Sequence, residues 1–337
     1  MKAYGLVSTE KGLRLQKSES QPPQLGPHEV LVRIEATSLN YRDLMILRGQ
    51  YGGHTREGLV PLSDGAGSVV AIGPEVTRRH EGDRVAPTFF RAWLDGPFRE
   101  AYRPSALGAG DTDGVLSELI AVPEESLVPI PDALSMEEAA TLPCAAVTAW
   151  QALVVRGQLT AGDTVLVQGT GGVAIFALQI ATAIGARVIV TSSSDEKRER
   201  AMSLGAWATV NYLTTPDWDV EVRKLTDGVG VSHIIENGGP ATFDRSLRAL
   251  AAGGKIAQIG VLTGHGPQSN LFLLQLNNAD INGISVGSAE QFAAMNEFFV
   301  AHRIKPIIDR RFAFDEAEAA YDYLASGRHF GKVVIKL

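Results

Sequence analysis

One short turn restricts what this chain can fold into more than any other feature. Gly169-Thr170-Gly171-Gly172-Val173-Ala174 follows the apolar run Thr164–Gln168 and precedes a helix-like stretch with apolar positions Ile175, Phe176, Leu178, Ile180 and Ile184. The pattern is G-x-G-x-x-G/A with alanine in the last place. The first glycine permits a tight turn, the second lets the backbone approach a pyrophosphate, and a small last residue lets helix and strand touch. Amides at the start of the helix then face the phosphates. The motif says little alone, but here it sits inside a βαβ unit from Thr164 to Thr191, the context that makes it a dinucleotide turn.

The rest of that region has the matching rhythm. Apolar runs at Arg187–Thr191, Ala208–Asn211, His233–Glu236, Lys255–Gly260 and Gly283–Val286 alternate with helical segments. With Thr164–Gln168 they predict a six-stranded, doubly wound parallel sheet with helices on both faces, an α/β fold. One helix is expected over Glu196–Leu204, with Ser193 and Glu196 in capping-box spacing and Gly205 as the stop. Residues 1 to about 122 read differently. Val30, Val32, Ile34 and Ala36 alternate with polar neighbours, as in a half-buried strand, and 67–73 and 83–87 read as further strands. Residues 90–114, rich in Gly, Pro, Arg and Asp, read as a long surface loop. Two helices (Glu290–His302 and Asp315–Ser326) and a strand (Lys332–Leu337) end the chain. No helix follows that strand, so its expected place is back in the first domain.

The chain's 337 residues suit two domains. A net charge of −7 argues against sequence-independent nucleic-acid binding, which needs a basic surface. The single cysteine, Cys144, rules out an intrachain disulfide and fits a reducing compartment. The start, MKAYGLV, has no apolar leader, and the run Val173–Ile184 is too short to span a bilayer. A cytoplasmic protein with no membrane partner is expected.

The end of the second strand bears on the choice of dinucleotide. An acid there would bond a ribose 2′-hydroxyl and repel a 2′-phosphate. The sequence is Thr191-Ser192-Ser193-Ser194, with no acid before Asp195 and with Lys197 close by. Hydroxyls and a lysine suit a 2′-phosphate, so NADP is expected over NAD. The serines equally suit a helix cap, and both roles stand together.

Several motifs together resemble the medium-chain dehydrogenase/reductase superfamily, and within it the zinc-free, quinone oxidoreductase-like branch. They are Asn40-Tyr41-Arg42-Asp43-Leu44, Asp64-Gly65-Ala66-Gly67, Leu142–Trp150, Gly169–Ala174, Asn211-Tyr212, Ile259-Gly260-Val261 and Gly331-Lys332-Val333-Val334. The resemblance implies a GroES-like catalytic domain, residues 1–123 and 292–337, split around a Rossmann domain, residues 124–291. It places Thr148 near the nicotinamide and Gly169, Gly171, Gly172 and Val173 at the pyrophosphate. It puts Ser192, Ser193, Lys197 and Tyr212 around the adenosine phosphate. Asn237, Gly260 and Val261 line the cofactor's far half, and Phe330 and Lys332 close over it. It also implies a homodimer paired through the last Rossmann strand, around Ile281–Val286.

Zinc members of the superfamily place Cys, His-Glu and Cys where this chain has Asn40, Asp64-Gly65 and Cys144, a poor set for a catalytic zinc. The loop 90–114 lacks the four cysteines of a structural zinc. No metal is expected, and Cys144 reads as a small packing residue. Without a Lewis acid, conjugated substrates are favoured, because the charge that develops on an enolate oxygen can be met by a hydrogen-bond donor. The expected small-molecule substrate is a quinone, enone or 2-alkenal, with enoyl thioesters open. Asn40 and Tyr51 are the candidate catalytic groups. Tyr51 reads equally as a loop aromatic over the site, Asn40 equally as a turn cap, and Arg42 and Asp43 as a structural pair or a pocket wall.

Three other readings stand beside this one: alcohol oxidation, an NADPH-binding sensor or structural protein with little turnover, and hydrolysis. The last rests on Gly283-Ile284-Ser285-Val286-Gly287, which matches the G-x-S-x-G elbow. It is disfavoured because few residues remain to bring an acid and a histidine beside Ser285.

Overall fold

The computed structural model describes residues 1–10, 12–264, 266 and 271–337. His265 and 267–270 lie outside them, within the loop 262–270 that the sequence offers as one wall of a substrate cleft. The chain divides into two compact units, Met1–Val147 with Val286–Leu337, and Thr148–Ser285. Among the described residues no helix is long and apolar enough to cross a membrane.

The unit 148–285 is a six-stranded, wholly parallel sheet. Its strands lie in the order Ala208–Asn211, Arg187–Ser192, Thr164–Gln168, Val231–Glu236, Leu250–Gln258, Asp280–Gly283. This is the 3-2-1-4-5-6 order of a doubly wound dinucleotide fold, with its switch point between Thr164–Gln168 and Val231–Glu236. Val165, Leu166, Val167, Val188, Ile189 and Val190 are fully buried, as strands covered on both faces must be.

The last strand departs from expectation. It ends at Gly283 rather than running to Val286, whose backbone has φ of 58°. Positive φ is costly for a β-branched residue and does not continue a strand. Ser285 therefore lies beyond the strand, and the next helix, Ala289–His302, belongs to the other unit. That is not the strand-turn-helix of a nucleophile elbow.

The other unit is built on a seven-stranded sheet. Its centre is Glu29–Ser38, paired antiparallel with Asp64–Ile72, Leu119–Pro123 and the final strand Lys332–Lys336. The end of the chain does return here, with Val334 opposite Ser38 and Ile335 opposite Thr37. An N-terminal hairpin, Lys2–Thr9 with Gly12–Glu19, was not foreseen.

Residues 90–114 are not simply surface. Phe90, Trp93 and Leu107 are buried. Trp93 meets Phe98 edge-on at 5.0 Å, stacks on Tyr102 at 6.3 Å and donates its indole N–H to Gly96 O. The carbonyls of Trp93 and Leu94 accept the amides of Ala289 and Glu290, so this segment also caps a helix. Aromatic rings scattered through a Gly/Pro/Arg/Asp-rich stretch carry no period, which is why composition alone reads it as loop. Trp93→Ala should cost about 3–5 kcal/mol. A urea titration checks it, and a change under 1 kcal/mol would mean the cluster does not hold the segment.

Candidate functional site

In the parallel-sheet unit the glycine turn has the required form. Gly169 has φ of 79°, and a Cβ there would meet nothing within 4 Å, so the space over the turn is open. Gly171 is the N-cap of helix Gly172–Ile184, with no side-chain cap and no acid in the first turn. The helix's first amides are left for an anion, and Val173 is half-buried beside them.

A polar lock at the switch point holds the neighbouring loop. Gln168 Nε2 donates to Glu236 Oε2 at 2.6 Å and to Ser246 Oγ at 2.8 Å. Glu236 Oε1 accepts the amides of Gly238 and Gly239, both at 3.0 Å. Asn237 is pinned in turn, its side-chain amide on Gln168 O at 3.0 Å and its backbone N–H on Gln168 Oε1. Gly260 packs directly on this loop: a Cβ would lie 2.0 Å from Asn237 O. Gly169, Asn237, Gly260 and Val261 therefore share one end of the sheet. Gln168 and Glu236 were missed in the sequence. The available signal was a polar residue closing each of two apolar runs.

The second strand ends on Ser192, which is buried. Its carbonyl accepts the Tyr212 amide, and its Oγ accepts the Ser194 amide. The helix cap is Ser194, not Ser193. Its Oγ accepts the Lys197 amide, and the helix runs Asp195–Ser203. Ser193 is left exposed beside the half-buried Lys197. The nearest acid, Asp195, is already engaged, accepting from Asn211 Nδ2 at 2.9 Å and Arg198 NH1 at 2.7 Å. These two bonds, the Asn211 one foremost, hold its carboxyl below the usual range. Thr148 is buried in the short helical segment Val147–Trp150.

The β-rich unit contains a buried polar cluster. Lys332 is 2% exposed, and its ammonium donates to Leu39 O at 2.8 Å and Asn40 Oδ1 at 2.6 Å. It lies 3.8 Å from Asp64 Oδ2, an oxygen that also accepts the Cys144 amide. Phe330, two residues earlier, is fully buried. Asn40 is the N-cap of helix Tyr41–Leu47, but its side chain makes no cap bond, because its oxygen serves Lys332. Asp43 caps instead, its Oδ2 accepting the Asn40 N–H at 2.7 Å. Arg42, also on this helix, has the rings of Tyr51 and Phe89 at 4.9 and 4.7 Å from its guanidinium carbon and a side-chain hydrogen bond with Tyr51.

Asn40, Asp64 and Cys144 are a poor donor set for zinc, because only Cys144 is a strong ligand and an ammonium sits against the other two. Burial, with Asp64 adding to it, pushes the Cys144 thiol up. Among the described residues no three His, Cys, Asp or Glu side chains gather as a metal set.

Comparison with known proteins agrees with this geometry. Residues 26–132 match the alcohol dehydrogenase GroES-like domain, and residues 172–301 match the zinc-binding dehydrogenase family. A zinc-type alcohol dehydrogenase-like protein of Schizosaccharomyces pombe is 46% identical, over 96% of this chain and 95% of its own. The chain belongs to the medium-chain dehydrogenase/reductase superfamily. A quinone oxidoreductase of Pseudomonas aeruginosa is 34% identical over 95% of both chains. An acryloyl-coenzyme A reductase of Metallosphaera sedula is 31% identical over 99% of both. Among solved structures, an NAD-dependent alcohol dehydrogenase has TM-score 0.89 at 32% identity, covering 99% of each chain. A mycobacterial protein solved with NADPH has TM-score 0.83 at 28% identity, covering 100% of each. The fold and the oxidoreductase class are thereby fixed for this superfamily member.

Burial, the largest cause, raises the Asp43 carboxyl from 3.8 to about 6, against the opposing pull of Arg42. A carboxyl that holds its proton more tightly when folded favours the folded state most at low pH. That contribution is complete below pH 3.8 and is lost as pH rises through about 6. Asp43→Asn keeps an acceptor for the Asn40 N–H and should flatten the fall in Tm over this range. Parallel Tm-against-pH curves for the two proteins would contradict the assignment.

Proposed function

We propose that this protein is a zinc-independent, NADPH-dependent reductase of a conjugated carbonyl compound, a quinone, enone, 2-alkenal or enoyl thioester. The observation that carries the coenzyme reading is the engaged Asp195 beside Ser192, Ser193 and Lys197. The Asp195 oxygen is engaged by Asn211 and Arg198, away from the role of a ribose-binding acid, and a lysine and two serines stand beside it to receive a 2′-phosphate. The open turn at Gly169–Gly172 would hold the pyrophosphate, with Val173 bordering it, and Tyr212, whose amide bonds Ser192 O, would border the adenosine phosphate. Thr148, Asn237, Gly260 and Val261 would border the nicotinamide half. When bound, the reduced coenzyme supplies hydride.

The chain's own part in the chemistry lies in the β-rich cluster. Lys332 places a buried positive charge here, spent on Leu39 O, Asn40 Oδ1 and Asp64, while Asn40 Nδ2 and two Arg42 nitrogens are buried donors with no hydrogen-bond partner among the described residues. A substrate oxygen that gains charge needs such donors. Simple alcohol oxidation leans instead on a Lewis acid, and the ammonium at Asn40 and Asp64 stands against that reading. Kinship with a quinone oxidoreductase and an acryloyl-coenzyme A reductase favours conjugated substrates. The strand Asp280–Gly283 closes one edge of its sheet, with Ile281 exposed. We read it as the pairing edge of a homodimer, a use open to any strand with free ladder groups.

Two measurements test the coenzyme reading. Gly171→Val should raise the NADPH Kd at least about tenfold, or 1.4 kcal/mol, in a fluorescence titration. Lys197→Ala should raise KM for NADPH about tenfold while leaving NADH little changed, as expected for one charge-assisted bond. An equal loss for both coenzymes would remove the 2′-phosphate site. Stoichiometric zinc in the purified protein would overturn the metal-free reading.

A further inference from the structure

Arg42 brings to the β-rich cluster a cation with two nitrogens left over. It is 7% exposed. One terminal nitrogen donates to Leu107 O at 2.9 Å and pairs with Asp43 Oδ1 at 3.5 Å. Its Nε and its other terminal nitrogen are buried without a partner, as is Asn40 Nδ2. Lys332, by contrast, spends its ammonium on Leu39 O, Asn40 Oδ1 and Asp64. Leaving donors of a buried guanidinium unpaired is costly, and such groups in a folded chain call for a specific reason. Packing does not supply one, because a hydrocarbon side chain would fill the same slot without that cost.

The rings of Tyr51 and Phe89 lie 4.9 and 4.7 Å from the guanidinium carbon, and the Tyr51 side chain also hydrogen-bonds it. A ligand oxygen reaching the unpaired nitrogens would take the place of Tyr51. A guanidinium edge suits an oxygen with two lone pairs, especially one carrying negative charge. Phe89 is buried and fixed, whereas Tyr51 is 39% exposed. Tyr51 stands between Gly49, Gly52 and Gly53, all at positive φ, beside a small cavity lined by Gly52, Gly53 and His54. Tyr51 is thus a cover that can move aside.

We infer that Arg42 receives the carbonyl oxygen of the substrate and stabilises it as an oxyanion, with Tyr51 as the displaceable cover. This rests on the conjugated-carbonyl reading above. Hydride from the reduced dinucleotide forms a new C–H bond at the β-carbon and breaks the carbon–carbon π bond. The electron pair moves to the oxygen as an enolate against Arg42, and a proton from water later adds at the α-carbon.

A phenol that changes colour on ionisation tests the site without turnover. The full chain is titrated with 4-nitrophenol at a series of pH values, following phenolate absorbance. Wild type should hold the phenolate and so ionise the bound phenol at lower pH than in free solution. Arg42→Gln should abolish the shift, and Arg42→Lys, which keeps the charge and protects the fold, should retain part of it. In steady state, both variants should lose at least about tenfold in kcat/KM for an enone, a loss of charge-assisted bonding. NADPH affinity should stay unchanged. No shift in wild type, or an equal shift in Arg42→Gln, overturns the proposal. Failure of wild type to bind NADPH or reduce any conjugated carbonyl would instead sink the functional reading and leave the nitrophenol result to stand by itself.

Discussion

A lysine ammonium kept out of water organises the β-rich unit. Desolvating Lys332 and Asp64 together is expensive, and such a pair persists only when further hydrogen bonds satisfy its members. Here the Leu39 carbonyl and the Asn40 side chain do so for Lys332, while Ser63 Oγ and the Cys144 amide do so for Asp64. The price of Lys332's burial is met only where the last strand lies beside Glu29–Ser38, so the end of the chain must return to the sheet it began. The same contact fixes Asn40 at the head of its helix and thereby sets Arg42 and Asp43.

The parallel-sheet unit has its own counterpart. The order of strands creates a crevice at the switch point, but the order does not hold the loops there. Gln168 and Glu236 do, by spanning the two central strands and gathering the amides of residues 237–239. A fully bonded buried carboxylate is rigid because each of its partners would be left unpaired by movement. Rigidity near a coenzyme is useful, since a misplaced ring loses the advantage of orientation.

What could be read from the chain beforehand follows from how far each signal reaches. The turn at 169–174, the central strands and the helix Gly172–Ile184 depend on neighbours a few residues apart, and local pattern reveals them. Thr164–Gln168 and Ala208–Asn211 were read to the residue. The cap at Ser194 rather than Ser193 shows the limit of spacing rules, because several adjacent serines satisfy the same pattern. The polar lock joins residues far apart in sequence, and nothing local marks Gln168 as the partner of Glu236. Arg42 does pair with Asp43, at 3.5 Å, but nothing local shows that the other Asp43 oxygen caps the helix through the Asn40 amide or that two Arg42 nitrogens stay unpaired. The aromatic cluster around Trp93 was hidden by composition typical of a loop.

Asp195 illustrates how direction can matter more than presence. A carboxylate stands three residues beyond Ser192, close enough in sequence to act as a ribose acid, yet Asn211 and Arg198 turn it toward the neighbouring strand. On the coenzyme reading proposed above, discrimination between two coenzymes would be lodged in the residues that restrain the carboxylate. On that reading, an engineer seeking the opposite preference need not introduce an acid at all. Releasing the one already there, by altering its two restraints, is the shorter route, and neutral drift at Asn211 or Arg198 could travel it unaided.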